Sequence, residues 1–198
     1  MRMPPLSLKH SRHHKAPARS PGWASDEQGA TAVEFGLVAL PFFLFVLGLI
    51  GIGLYFFTVS SLEYGVEMAS RQIRTGQAQN AALTVSQFRN LVCSAAGTNI
   101  NCSKLSVLIQ SGDNWSDVSP QACVDSKNNM AASTGSANDA LSTYSGVASK
   151  VVQITLCYQW DLAQTFPFLK LGKNSDGSGS GVLQAATAFR TEPYTTDS

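Results

Sequence analysis

Beyond residue 29 this sequence has no histidine; His10, His13 and His14 all lie ahead of that point. A chain without imidazole lacks the usual base for a serine or cysteine nucleophile. A carboxylate pair, such as Asp113 with Asp117 or Asp125, is what remains for a hydrolase, and no helical or strand spacing recommends one. Charge of either sign is scarce: Asp, Glu, Lys and Arg make up 14% of the chain, where about 25% is usual. The net charge of +1 gives no footing for a nucleic-acid partner. No C-x-x-C occurs and no histidine follows the cysteines, so a zinc site is not expected. Asp176-Gly-Ser178-Gly-Ser180 fits a D-x-S-x-S metal pattern, but no buried apolar strand precedes it, and a flexible loop is the better reading. The expectation is therefore a protein with no catalytic residue, no metal and no cofactor.

What charge there is lies unevenly. Arg2, Lys9, Arg12, Lys15 and Arg19 precede residue 30, against Asp26 and Glu27. Taking these from the 14 basic and 13 acidic residues leaves nine against eleven, a net of −2 for the rest. From Ala30 to Phe57 the only charge is Glu34. As a helix that run reaches about 42 Å, enough to cross a bilayer. A soluble core helix rarely stays apolar on every face for so long. Basic residues before the run and none close behind it predict a cytoplasmic N-terminus. A secretory signal has a shorter apolar core and a small-residue cleavage site after it; neither feature is present here.

The distinctive feature lies in front of the run. Gly29 is followed by Ala30-Thr-Ala-Val, then by Glu34 and Phe35. A carboxylate inside an apolar span is costly and wants a partner. Cutting after Gly29 would create an α-amino group close by in sequence, which Glu34 of a neighbouring copy could neutralise; alternatively Glu34 reaches the interface and meets water. Gly29 with Glu34-Phe35 resembles the processing site of type IVb prepilins. The longer run Gly29-Ala-Thr-Ala-Val-Glu-Phe-Gly-Leu-Val-Ala-Leu-Pro41 resembles the N-terminus of TadE-like proteins, minor pilins of the tight-adherence (Tad/Flp) system. Tyr158-Gln-Trp160, Phe166-Pro-Phe-Leu169 and Arg190-Thr-Glu-Pro193 are similar to the C-terminal pattern of that family. The resemblance implies a minor pilin or pseudopilin in the bacterial inner membrane. It implies Gly29, Ala30, Glu34 and Phe35 as processing residues, and as partners the bilayer, a prepilin peptidase, other pilin subunits and the assembly platform. An uncleaved, singly anchored envelope binding protein is the alternative, and an anchored hydrolase is a third reading.

Four segments are expected: a leader over 1–29, a transmembrane helix over 30–57, a helical stem over 58–76 and an extracytoplasmic α+β domain over 77–198. Val59, Leu62, Val66, Ala69 and Ile73 form one helical stripe, and Gly76 ends it. Glu67 and Arg71 are placed for an i,i+4 pair. Thr84 with Gln87 makes a capping box for a second helix that fades near Gly97. Leu105 to Ile109 and Val151 to Trp160 read as strands, and a last strand runs from Val182 to Arg190, giving a small antiparallel sheet packed on helix. Residues 111–148 read as a long exposed excursion anchored by Trp115 and Cys123, with a helical turn around Ala137 to Tyr144, and as a candidate surface for partners. Pro41 should loosen the apolar helix locally. Cys93, Cys102, Cys123 and Cys157 all follow the apolar run, which points to two disulfides in an oxidising compartment. Of three possible pairings, Cys93–Cys102 with Cys123–Cys157 closes the shorter loops.

Overall fold

The computed structural model describes residues 27–169, 173–174 and 180–194. The chain divides into two units, Met1–Leu44 and Phe45–Ser198.

Helix α1 runs Glu27–Arg74 and contains Pro41. Its sequence changes character along its length, and its surroundings change with it. Within the first unit Val33, Phe35, Leu37, Val38, Leu40, Phe42 and Phe43 are all exposed. Apolar residues on every face leave no side that prefers water. In the second unit the helix becomes amphipathic. Leu62, Val66, Ala69 and Ile73 are buried and Val59 packs against them, while Glu63, Glu67 and Arg71 stay exposed. The expected stripe is therefore the buried one.

The end of α1 is fixed by backbone geometry. Gly76 adopts φ 76°, a left-handed conformation that only glycine holds without strain. The Tyr194 ring lies on it: a Cβ added to Gly76 would come within 2.5 Å of Tyr194 Cγ. The Glu192 amide donates to the Arg74 carbonyl at 2.9 Å, capping one of the helix's orphan acceptors.

A one-turn helix α2, Gln77–Asn80, leads to α3, Val85–Ala96. Thr84 caps α3 with the full capping box anticipated from sequence: its hydroxyl accepts from the Gln87 amide and Gln87 Oε1 accepts from the Thr84 amide. Val85, Phe88, Val92, Cys93 and Ala96 form the buried face. α1 and α3 approach closely at Gly65, where a Cβ would stand 2.7 Å from the Val92 carbonyl oxygen and 2.9 Å from Ala96 Cβ.

The sheet, among the described residues, has the order β1-β2-β4-β3, with β1 Leu105–Gly112, β2 Val151–Trp160, β3 Lys173–Asn174 and β4 Gly181–Arg190. All pairings are antiparallel. Register places Ile109, Val107 and Leu105 opposite Ile154, Leu156 and Tyr158; on the other side of β2, Tyr158, Leu156 and Val152 lie opposite Leu183, Ala185 and Phe189 of β4. Alternation sends this whole set to one face, where it meets α1 and α3 in a single core. The architecture is α+β: a long apolar N-terminal helix and a small antiparallel sheet with further helices.

The second face of the sheet carries a finding that periodicity did not reveal. Gln153, Thr155 and Cys157 are polar or sulfur-bearing, yet buried. The segment between β1 and the short helix α4, Ser142–Ser145, is strapped across them. Cys123 is disulfide-bonded to Cys157, the Gln121 amide donates to Thr155 Oγ1, and Leu108, Cys123 and Cys157 form a second small core. The same segment covers the free edge of β1: the Val107 amide donates to Ser133 Oγ, the Ile109 amide to Thr134 Oγ1, and the Thr134 amide returns a bond to the Val107 carbonyl. An exposed sheet edge is an aggregation hazard, and here it is closed. The excursion is thus exposed along 113–117 and 125–129, as expected, but tethered between them. Trp115 is not one of its anchors, being 57% exposed; its place is taken by hydrogen bonds and the disulfide.

Candidate assembly interface

Gly29 and Ala30 lie in the first turns of α1. Nothing approaches a Cβ built at Gly29 within 4 Å, and both residues are exposed. Glu34 and Phe35 follow on the same helix, also exposed. Among the described residues Glu34 has neither an ion pair nor a hydrogen bond. Ala30 and Glu34 are four residues apart, which puts them on one helical face, one turn from each other. A chain beginning at Ala30 would carry a cationic α-amino group, with an ordinary pKa of about 7.7–8.0, on the positive end of a helix dipole. That is the wrong sign for the position, and a carboxylate is the group that relieves it. In the uncut chain Glu34 is the one charge of the span from Ala30 to Phe57.

The two disulfides lie in the second unit. Cys93 and Cys102 join the end of α3 to the turn before β1, with Cα atoms 5.8 Å apart; Cys123 and Cys157 join the strap to β2 across 5.3 Å. They are the pairs that close the shorter loops; Cys123 and Cys157 are both buried, whereas Cys93 is buried and Cys102 exposed.

The acidic residues considered for catalysis hold turns. Asp113 is ion-paired with Lys150. Asp117 accepts from the Asn114 amide at 2.8 Å and from Ser116, and its pKa lies below the usual carboxylate range, chiefly through that backbone bond. Asp125 accepts from the amides of Lys127 and Asn129, and the Asn129 bond is the main cause of its lowered pKa. Carboxyls held in the ionised form are poor general acids. Among the described residues no group of three or more His, Cys, Asp or Glu is placed to hold a metal ion. The basic leader up to residue 26 and Asp176 to Gly179 of the D-x-S-x-S run lie outside the described residues.

Glu67 does not form the ion pair with Arg71 that spacing allowed; it accepts instead from Thr187 Oγ1 of β4 at 3.4 Å. The stem is thereby joined to the sheet by a polar contact beside its apolar stripe. The C-terminal motif has a structural role as well. Thr191 Oγ1 accepts from the Lys150 amide at 2.9 Å and donates to the Val147 carbonyl, while Arg190 Nε donates to the Ser149 carbonyl. Together with Glu192 on Arg74 and Tyr194 on Gly76, this tail ties the end of β4 to the end of α1. Burial pushes the Tyr194 hydroxyl pKa up.

An apolar helix long enough to cross a membrane, continuing as the spine of a disulfide-bonded α+β unit, defines a helix-led protein suited to single-pass membrane anchoring. The family model described as TadE-like protein matches residues 29–71, and over that stretch the chain is similar to TadE-like proteins, a family associated with the Tad pilus system. The matched stretch opens at Gly29 and takes in the apolar span and most of the stem, but none of the sheet. Comparison with curated proteins and with solved structures returned no match in either case.

Proposed function

We propose that this chain is a minor pilin or pseudopilin of Tad/Flp-type pilus assembly or secretion, cut by a prepilin peptidase between Gly29 and Ala30. It stays anchored by α1 in the bacterial inner membrane, with its N-terminus cytoplasmic and the sheet unit periplasmic, and joins other pilin subunits and the assembly platform through the helix. The observation that carries this reading is Gly29 followed at a fixed distance by Glu34-Phe35, at the opening of a stretch that matches the TadE-like family. A simple anchor needs neither the glycine nor a carboxylate within the apolar run. The open surroundings of Gly29 suit access by a protease, and the unpaired Glu34 suits a partner on another subunit. The two disulfides fit an oxidising compartment on the sheet side.

The test is the N-terminal sequence and intact mass of the native protein from membranes, with and without a prepilin peptidase. An N-terminus at Ala30 that depends on the peptidase is expected. A chain starting at Met1 in both strains would sink the pilin reading and leave an uncleaved envelope binding protein. Glu34→Gln separates the two roles of the motif: it should leave thermal unfolding of the sheet unit unchanged while reducing incorporation into pilin-containing assemblies. Equal incorporation would remove Glu34 from the proposed interface.

A further inference from the structure

Between β2 and β3 the chain makes two short 3-10 turns, Asp161–Thr165 and Pro167–Leu169. Here Ala163 and Phe166 are buried, but two large apolar side chains are not. Phe168 is 52% exposed and Leu162 44%. Isolated exposed apolar side chains are ordinary, but these are placed against a particular part of α1. A Cβ at Gly51 would fall 2.7 Å from Leu169 Cδ1 and 3.1 Å from Phe166 Cγ, and one at Gly48 would lie 3.9 Å from Leu169 Cδ2. One turn further on, Tyr55 packs edge-on against Trp160 at 5.8 Å. The turn is therefore seated on the helix at Gly48 and Gly51, and Gly51 is what lets it sit so close.

That level of α1 is itself unfinished as a water-soluble surface. Leu47, Leu49, Ile50 and Ile52 flank the two glycines and are exposed by 39–54%. The helix and the turn thus present one continuous apolar surface at the same height. Asp161, at the start of the turn, is bonded to Lys104, and Lys170 follows directly after Leu169 in sequence. Aromatic and aliphatic side chains on the uncharged stretch between them, beside a helix whose flanking residues require a non-aqueous surrounding, fit the interfacial layer of a bilayer.

We infer that the Leu162–Leu169 turn is a second membrane contact, dipping into the leaflet on the sheet unit's side and fixing how that unit sits on the lipid surface. The inference rests on the anchoring role of α1 given above. Phe168 and Leu162 enter the headgroup and upper acyl region, and Phe166 and Leu169 hold the turn to the helix. The occupant is lipid rather than another protein because the surface is continuous with helix residues that lipid already covers in an anchored chain.

The full chain with Trp23 and Trp115 replaced by Phe, reconstituted in phosphatidylcholine vesicles, gives a parent with buried Trp160 as a constant background. Into it are placed, one at a time, Phe168→Trp, Leu47→Trp and Val147→Trp; Val147 is exposed, and its carbonyl is bonded to the Thr191 hydroxyl near the far end of α1. Lipids brominated near the headgroup end of their chains should quench most of the emission added by Phe168→Trp, and lipids brominated deep in the chains should quench less of it. Leu47→Trp should be quenched and Val147→Trp should not. Quenching at Leu47→Trp with none at Phe168→Trp would overturn the turn's insertion and leave the anchor standing. Loss of quenching at both would overturn the anchor and the turn together. Blue-shifted but unquenched emission from Phe168→Trp that grows with the protein-to-lipid ratio would assign the turn to a second copy of the chain, against the inference.

Discussion

The two parts of α1 are built from the same backbone and answer to different surroundings. In the first unit its apolar residues point in every direction and none is buried against protein; in the second a single stripe at 3-4 spacing is buried and the other faces carry charge. Glycine makes the contrast sharp. Gly36 has nothing near it, whereas Gly65 is packed so closely against α3 that a Cβ would meet both backbone and side chain. The first part is written for association with something outside the chain, and the second for a fold that is complete within it. The pilin role proposed above uses both, because there one helix serves as an anchor, a joining element and the spine of a domain.

The largest way to break the self-contained half is to cut its covalent ties. Removing the Cys123–Cys157 bridge, which spans 34 residues, should cost about 3–4 kcal/mol on loop-entropy grounds. Removing Cys93–Cys102, which spans 9, should cost about 2–3 kcal/mol by the same argument. Thermal unfolding of the two double Cys→Ala variants in nanodiscs measures the difference. Cys123–Cys157 should also matter more because it holds the strap over Thr155 and Gln153. Equal losses would mean that the strap is held by its hydrogen bonds alone.

What could be read from sequence divides along the same line. Local signals were legible because local geometry produces them: the stem stripe from Val59 to Ile73, the capping box at Thr84 and Gln87, the strand from Val151 to Trp160, and the stop at Gly76. Gly29, Glu34 and Phe35 stand out in sequence because a lone carboxylate in an apolar run is conspicuous, and their role as a processing site is the proposal made above. What escaped notice depends on contacts between distant residues. Gln153 and Thr155 look like the wet face of a strand, and only the strap from residues 121–134 buries them. Trp115 looks like an anchor because of its size, but a hydrogen-bonded turn built on Asn114 and Asp117 holds its segment and leaves the ring outside. The seating of Phe166 and Leu169 on Gly51, and of Tyr194 on Gly76, required a glycine and an aromatic more than a hundred residues apart to be paired, and no periodicity encodes that.

A smaller perturbation tests the contrast between the glycines directly. Gly65→Leu forces side-chain atoms into the α1–α3 contact and should destabilise the sheet unit by about 1–3 kcal/mol, as overpacking usually does. Gly36→Leu adds the same atoms where there is open space, so the unfolding temperature of the unit should not move. Gly36→Leu remains free to change helix association in the membrane, which crosslinking between copies would report. If both substitutions shifted unfolding equally, the division of α1 into an outward and an inward part would be wrong.

The smallest effect expected is electrostatic and confined to the inward half. Asp139 accepts from the Tyr144 hydroxyl at 2.7 Å and from the Ser136 amide at 2.8 Å. The tyrosine bond is the main reason its carboxyl pKa is lowered, with the amide second. The same bond, then burial and the nearby negative charge, raise the Tyr144 pKa. A lowered carboxyl contributes stability that is present above its unfolded pKa of about 3.9 and lost as pH falls through the folded value. A raised phenol contributes stability present below its unfolded value of about 10 and lost as pH rises through the folded one. The contact therefore supports the fold between those limits and fades at either side. It matters for α3 because the Asp139 carbonyl accepts from the Val85 amide at the start of that helix. Both groups are accessible to solvent, so the contribution is small. Wild type should unfold slightly above Tyr144→Phe at neutral pH, and the gap should close as the pH drops into the carboxylate range. A gap that stays constant into acid would mean that Tyr144 acts through packing alone and that Asp139 is held by its turn.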